Sequence, residues 1–157
     1  KTGHSLIKNK MIEENAKLGG EMSGHIFFAD SYFGYDDAIY VGLRLIEILS
    51  SKKLKLSDLH SEIPLYHSTP ELRLNCRNDE HKVKVMDDAF KYFSSKFKYS
   101  DIDGIRLKLD DGWALIRSSN TQPVIVCRAE ANSEKNLIEY KNMILEKLLS
   151  LGVTINE

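Results

Sequence analysis

The 157-residue sequence is poor in cysteine, proline and tryptophan, with two, three and one respectively. Two cysteines cannot build a disulfide scaffold of several bridges. Cys76 and Cys127 each sit in an apolar, strand-like run, so both are expected as buried free thiols in a reducing compartment, and the chain as cytoplasmic. Their spacing suits no zinc motif, and five scattered histidines do not complete one, so no metal site is expected in these residues. Charge of one sign is also lacking: the net charge is −1, with acids and bases spread through both halves. A broad nucleic-acid surface carries a basic excess, which argues against such a partner. No apolar run approaches the ~18 residues of a membrane span, and neither a secretory signal nor an Arg-rich presequence is visible. A starting methionine is missing too. The chain begins at Lys1 on the polar turn KTGHS, which reads as the middle of something longer, a fragment.

What is present is 42% apolar and 29% charged residues, the composition of a globular protein with room for one ordinary domain or two small ones. Residues 5–18 place Leu6, Ile7, Met11 and Leu18 at roughly helical spacing, with Ser5 as the expected N-cap and Gly19-Gly20 as the stop. A strand is expected at 26–28. A helix follows, capped by Asp36, whose polar positions recur every three or four residues and leave the remaining face apolar and buried against a sheet. Helix, strand, helix reads as part of a layered α/β unit. Over 57–71 periodicity disappears and Pro64 and Pro70 interrupt, which predicts an interdomain connection hinged near Ser68-Thr69-Pro70.

The second segment alternates more regularly. Leu72, Leu74 and Cys76 share a strand face, Asn78 caps a helix with the stripe Met86, Ala89, Phe90, Phe93 and Phe97, and Ile105, Leu107 and Leu109 alternate with Arg106 and Lys108. Asp111-Gly112 predicts a hairpin turn. GWALIR and PVIVCRA read as strands, and a last helix from Ser133 to Ser150 buries Leu137, Ile144 and Leu148. The order β-α-β-β-β-α gives an antiparallel four-stranded sheet with two helices on one face, an α+β domain.

Two stretches carry candidate chemistry. In GGEMSGH (19–25), an extended backbone would put Glu21, Ser23 and His25 on one face, with glycines letting a ligand approach the backbone. A carboxylate, a hydroxyl and an imidazole on one edge suit a polyol, and the imidazole can move a proton near neutral pH. A plain glycine turn with a solvated Glu fits the spacing equally well. RSSNTQP (117–123) contains no acid. Arg117 offers a guanidinium fork, and Ser119, Asn120, Thr121 and loop N–H groups offer neutral donors, as a phosphate requires. Alone, it is also an ordinary polar hairpin. It fits no Walker or dinucleotide fingerprint.

Taken together, KTGHS, GGEMSGH, STPE and DGIRLKLDDGWALIRSSNTQPVIVCRAEA resemble the α-D-phosphohexomutase family, most closely its bacterial phosphomannomutase/phosphoglucomutase branch, over nearly the whole chain. The resemblance implies four domains, of which residues 1–67 are the C-terminal part of the sugar-binding third (the remnant of an α/β/α layered domain) and 68–157 the phosphate-binding fourth, a TBP-like fold. It implies an isomerase of carbohydrate metabolism, an intramolecular phosphotransferase moving phosphate between C1 and C6 of a hexose. The route is a phosphoserine and a hexose 1,6-bisphosphate that turns over midway. The phosphoserine and the Mg²⁺-binding aspartates belong to missing N-terminal domains, and neither their serine motif nor a DxDxDR-type loop occurs here, so the fragment alone is expected to be inactive. By resemblance, Glu21 and Ser23 hold the C3 and C4 hydroxyls, and His25 is a proton acceptor or orienter. His4 and Lys1 line the same cleft, and Arg117, Ser119, Asn120 and Thr121 hold the phosphate not being transferred. Met22 in GEMSGH points to mannose and glucose phosphates. The alternatives are a phosphoglucosamine mutase, which usually carries Gln at that position, or a non-enzymatic anion- or nucleic-acid-binding module.

Overall fold

The computed structural model describes residues 1–155; the last two residues of the expected second domain, 156 and 157, lie outside the described residues. The chain divides into two compact units, Lys1–Pro64 and Leu65–Glu157.

The first unit contains α1 (His4–Glu13), β1 (Leu18–Gly20), β2 (Ile26–Phe28), α2 (Ala38–Lys52) and α3 (Leu56–Ser61). α1 starts one residue before the expected cap: Gly3 is its N-cap, so Ser5 lies inside the helix. The helix also stops well before Gly19-Gly20, and Asn15 turns the chain at φ 50. The two glycines belong to β1, which pairs antiparallel with β2, Gly19 opposite Phe27. Packing is the reason for Gly19, since a Cβ there would come within 2.6 Å of the Met11 sulfur. Met11 and Phe27 are the buried apolar side chains of this small unit.

α2 is capped by Asp37, whose Oδ1 accepts from the Ile39 and Tyr40 N–H groups at 3.0 Å each, one residue later than the sequence implied. Nor is the helix buried on most sides. It has no buried residue, and Ile39, Leu43 and Ile46 are 79%, 60% and 60% exposed. The only sheet in this unit among the described residues has two strands of three residues, too little surface to cover a fifteen-residue helix. α3 falls inside the stretch read as irregular. Asp58 accepts from the Lys55 N–H at 3.2 Å and starts a single short turn system that a periodicity window passes over.

In the second unit the sheet runs β5 (Lys98–Ser100), β6 (Ile105–Leu109), β7 (Gly112–Ser118), β8 (Val124–Ala131), β4 (Leu72–Asn75), β9 (Thr154–Ile155), with β3 (His67–Ser68) also on β8. Its central four strands, β6-β7-β8-β4, are antiparallel as the alternation implied, and β3, β5 and β9 are short additions. The proposed hinge residues are pinned to β8. The Thr69 N–H donates to Ala129 O at 2.9 Å, and Thr69 Oγ1 accepts from the Ala129 N–H at 3.0 Å. Pro70, which has no N–H, therefore breaks the stretch paired with β8 into β3 and β4 without detaching it. The β6–β7 hairpin loop is Asp110-Asp111, because Gly112 already pairs with Leu109.

Two helices, α4 (Asp79–Ser94) and α5 (Glu134–Ser150), cover one sheet face. Asn78 accepts from the His81 N–H at 2.8 Å and Ser133 from the Asn136 N–H at 3.3 Å, so both expected caps hold. Val85, Ala89, Phe93, Ile144 and Leu148 are buried against Leu74, Ile105, Leu107, Ile116, Ile125 and Cys127. Each Val, Leu, Ile and Phe side chain among these contributes roughly 1.5–3 kcal/mol on burial. Met86, Phe90, Phe97 and Leu137 pack around this core partly buried. Asp111 ties the β6–β7 hairpin to α5 by accepting from Tyr140 and Asn136. These bonds hold its carboxyl below the usual range, and the carboxylate beside it pushes the Tyr140 hydroxyl up to about 12. Both cysteines are buried and free, and burial pushes the Cys127 thiol up to about 12. That keeps it neutral and unreactive. No helix among the described residues is long and apolar enough to cross a membrane.

Candidate active site

Residues 21–25 form the tight connection between β1 and β2, not an extended edge. The Gly24 N–H donates to Glu21 O at 3.0 Å and the Glu21 N–H to His25 O at 2.9 Å. Gly24 sits at φ +92, a conformation glycine adopts freely and other residues resist. The i, i+2, i+4 alternation assumed from the spacing therefore does not apply. The turn nevertheless brings Glu21 and Ser23 together: Ser23 Oγ donates to Glu21 Oε2 at 3.3 Å. Glu21 Oε1 accepts from the Gly3 N–H at 2.7 Å, so a partly buried carboxylate rests at the N-terminus of α1, where the helix dipole favours it. Lys1 is exposed just ahead of that contact.

On the other side of the turn, His25 Nδ1 donates to Asp36 Oδ2 at 2.6 Å. Phe27 forms a β-bridge with Asp36, which fixes the backbone that carries the carboxylate. His4, from the first turn of α1, lies edge-on to His25 with ring centroids 4.7 Å apart, and its Nε2 is 3.9 Å from the same Asp36 oxygen. With Nδ1–H donating to the carboxylate, the neutral imidazole of His25 has its acceptor lone pair at Nε2. Asp36 was read only as a helix cap. The signal that could have found it is the acidic pair Asp36-Asp37: a cap needs one carboxylate, and the second is spare. Asp37 takes the cap and also accepts from the Tyr32 hydroxyl at 2.6 Å, which holds its carboxyl below the usual range and raises the Tyr32 hydroxyl.

In the second unit Arg117 and Ser118 are the last paired residues of β7, opposite Val126 and Ile125. Ala114 and Ile116 point into the core, so strand alternation puts Arg117, half-buried, on the face away from the helices. Ser119 is buried and its hydroxyl accepts from the Thr121 N–H at 3.4 Å, while Asn120 and Thr121 are exposed at the loop tip. Lys82, from α4, donates to the carbonyls of Ser119 at 3.1 Å and Gln122 at 3.0 Å beneath the loop. The structure thus brings together Glu21 with Ser23, His25 with His4, and the loop residues with one another.

His4, His25 and Asp36 also place three metal-ligand atoms within 4.8 Å of one another. Two imidazoles and one carboxylate do not fit Mg²⁺, which takes oxygen ligands and keeps several waters. His81, by contrast, is structural. It accepts from the Arg77 N–H at Nδ1 and donates from Nε2 to Leu151 O at 3.0 Å, buried under α5.

Residues 1–66 match the family model described as phosphoglucomutase/phosphomannomutase, alpha/beta/alpha domain III, and residues 71–147 match the phosphoglucomutase/phosphomannomutase C-terminal domain. The chain belongs to the phosphoglucomutase/phosphomannomutase family. It is 41% identical over 150 residues to a phosphomannomutase/phosphoglucomutase of Pseudomonas putida, covering 95% of this chain and 32% of the relative. It is 37% identical over 153 residues to a phosphoglucosamine mutase of Methanocaldococcus jannaschii, covering 96% of this chain and 33% of the relative. A crystal structure of a phosphoglucomutase/phosphomannomutase family protein from Burkholderia thailandensis superposes with a TM-score of 0.85 at 40% identity, covering 99% of this chain and 33% of that one. The chain therefore spans about a third of the length of the curated relatives it matches.

Proposed function

We propose that these residues are the substrate-recognition part of a phosphohexomutase that interconverts hexose 1-phosphate and hexose 6-phosphate, with mannose or glucose as the sugar. The phosphoserine that exchanges phosphate with the sugar, and the aspartates that hold Mg²⁺, lie in domains outside this chain. The observation that carries the reading is the occurrence of two complementary recognition surfaces in one chain: the Glu21–Ser23 turn and the acid-free stretch at 117–123, where β7 ends and its loop begins.

Each surface has a distinct task. Glu21 keeps Oε2 toward Ser23, and the pair accepts from and donates to adjacent ring hydroxyls. A site built for two neighbouring hydroxyls looks similar from either end of the sugar, as suits a bisphosphate that turns over midway. His25 Nε2 takes the proton of the hydroxyl that attacks phosphorus, and Asp36 holds the ring in that tautomer and stabilises the imidazolium that forms. Arg117, with Asn120 and Thr121, binds the phosphate that is not transferred, so remote binding energy positions the reacting end. Mg²⁺ supplies charge neutralisation at the transferring phosphoryl group, from the other domains.

A nucleic-acid-binding reading finds less support. Arg106 and Trp113 do share the open sheet face, but the Arg106 guanidinium sits 4.7 Å over the Trp113 ring and Trp113 Nε1 donates to Glu130. The aromatic surface is engaged by the protein's own side chains, and bases need it free.

The test is turnover. The isolated 157-residue chain is expected to show none with mannose 1-phosphate or glucose 1-phosphate, and the full-length enzyme to favour these over glucosamine 1-phosphate. Measurable turnover by the isolated chain would overturn the division of labour. A preference for the amino sugar would move the assignment to phosphoglucosamine mutase.

A further inference from the structure

Lys82 is a charged side chain only 12% exposed, and its partners explain where its charge goes: Asp79 at 2.7 Å, Ser119 O at 3.1 Å and Gln122 O at 3.0 Å. Three donors of one ammonium are thus used, two of them on backbone carbonyls 37 and 40 residues away along the chain. A peptide is planar and trans, so its N–H points opposite to its C=O. Drawing the Ser119 carbonyl inward to Lys82 therefore turns the Asn120 N–H outward, toward the exposed tip of the loop. The peptide after Gln122 has no N–H to aim, because Pro123 follows. Arg73 makes a second tie. Its Nη2 donates to Gln122 Oε1 at 2.6 Å while its Nη1 donates to Glu71 at 2.8 Å. Gln122 thus has a role as the anchored end of the loop.

We propose that Lys82 is a positioning residue that holds the 119–122 backbone so that the Asn120 N–H and the Arg117 guanidinium converge on one phosphate. The proposal rests on the phosphate-binding reading of this loop. Lys82 does not touch the ligand; it fixes the donors that do. A loop with the same sequence but no internal cation would sample orientations in which the Ser119–Asn120 peptide is flipped, and phosphate would have to select the right one at a cost in affinity.

The experiment compares Lys82→Met, Lys82→Arg and Arg117→Ala in the full-length enzyme, by steady-state kinetics on glucose 1-phosphate and by amide hydrogen exchange over 118–124. Lys82→Met is expected to raise KM about tenfold, with kcat changed by less than about threefold, as a fall of the binding-competent loop to about a tenth of its population implies. It should also speed exchange at the loop amides, and Lys82→Arg should recover most of both. If Arg117→Ala raises KM while Lys82→Met leaves KM and loop exchange unchanged, the positioning role is wrong and the phosphate site stands. If neither variant changes KM, the phosphate reading itself falls and the proposal falls with it. Should Lys82→Met not fold, Lys82→Gln, which keeps two N–H donors but neither the charge nor the length of the lysine, carries the same comparison, and an unchanged KM and exchange rate there overturns the proposal equally.

Discussion

His25→Ala is expected to lower kcat of the full-length enzyme by about 10²–10⁴-fold, the usual contribution of a positioned general base, with KM for the hexose phosphate much less affected. The expectation follows from one hydrogen bond. With Nδ1 donating to Asp36 at 2.6 Å, the lone pair of the neutral His25 ring is at Nε2, and only that tautomer can accept a proton there. Asp36→Asn tests the same point without removing the imidazole. An amide can donate to Nδ1, which moves the ring proton to Nε2 and turns the acceptor into a donor. Its kcat should therefore fall nearly as far as that of His25→Ala, while the cap of α2, held by Asp37, stays intact. A His25→Ala enzyme with kcat close to that of the unmodified protein would show that the proton goes elsewhere, and His4, whose ring packs edge-on against His25, would be the next residue to replace.

Arg117→Ala is expected to lower kcat/KM by about ten- to a hundredfold, corresponding to the roughly 1.5–3 kcal/mol of a hydrogen bond to a charged group. Most of the loss should fall in KM, since the phosphate it holds is not the one that reacts. Lysine should restore only part of the loss, because a point charge cannot reproduce the two parallel donors of a guanidinium. Steady-state kinetics on glucose 1-phosphate and mannose 1-phosphate decide it. Unchanged KM and kcat/KM for both sugars would remove Arg117 from the anchoring role.

Much of the second unit was legible because its signals are local. The alternation of Ile105, Leu107 and Leu109 with Arg106 and Lys108 is the burial pattern of β6, and the side chains of Asn78 and Ser133 cap the helices they precede. The acid-free stretch at 117–123 holds the end of β7 and the connection to β8, as the flanking strands implied. The first unit was harder. Three glycines between 19 and 24 fit an extended ligand-facing edge as well as a turn, and only the positive φ of Gly24 and the Glu21–His25 backbone bond separate the two. The apolar face of α2 was legible, but its burial was not. Periodicity says which side seeks cover without saying whether the cover is within reach. Asp36 and Lys82 escaped for a common reason. Each acts on a residue distant in sequence, 11 positions in one case and 37 in the other, and no spacing rule links such partners.

The most direct measurement is a crystal structure of the full-length enzyme with glucose 6-phosphate or mannose 6-phosphate bound. The phosphate oxygens should lie about 3 Å from the Arg117 guanidinium and the Asn120 N–H, with two neighbouring ring hydroxyls on Glu21 and Ser23. A bound sugar whose phosphate contacts neither Arg117 nor Asn120, and whose hydroxyls bypass Glu21, would contradict the account at its centre.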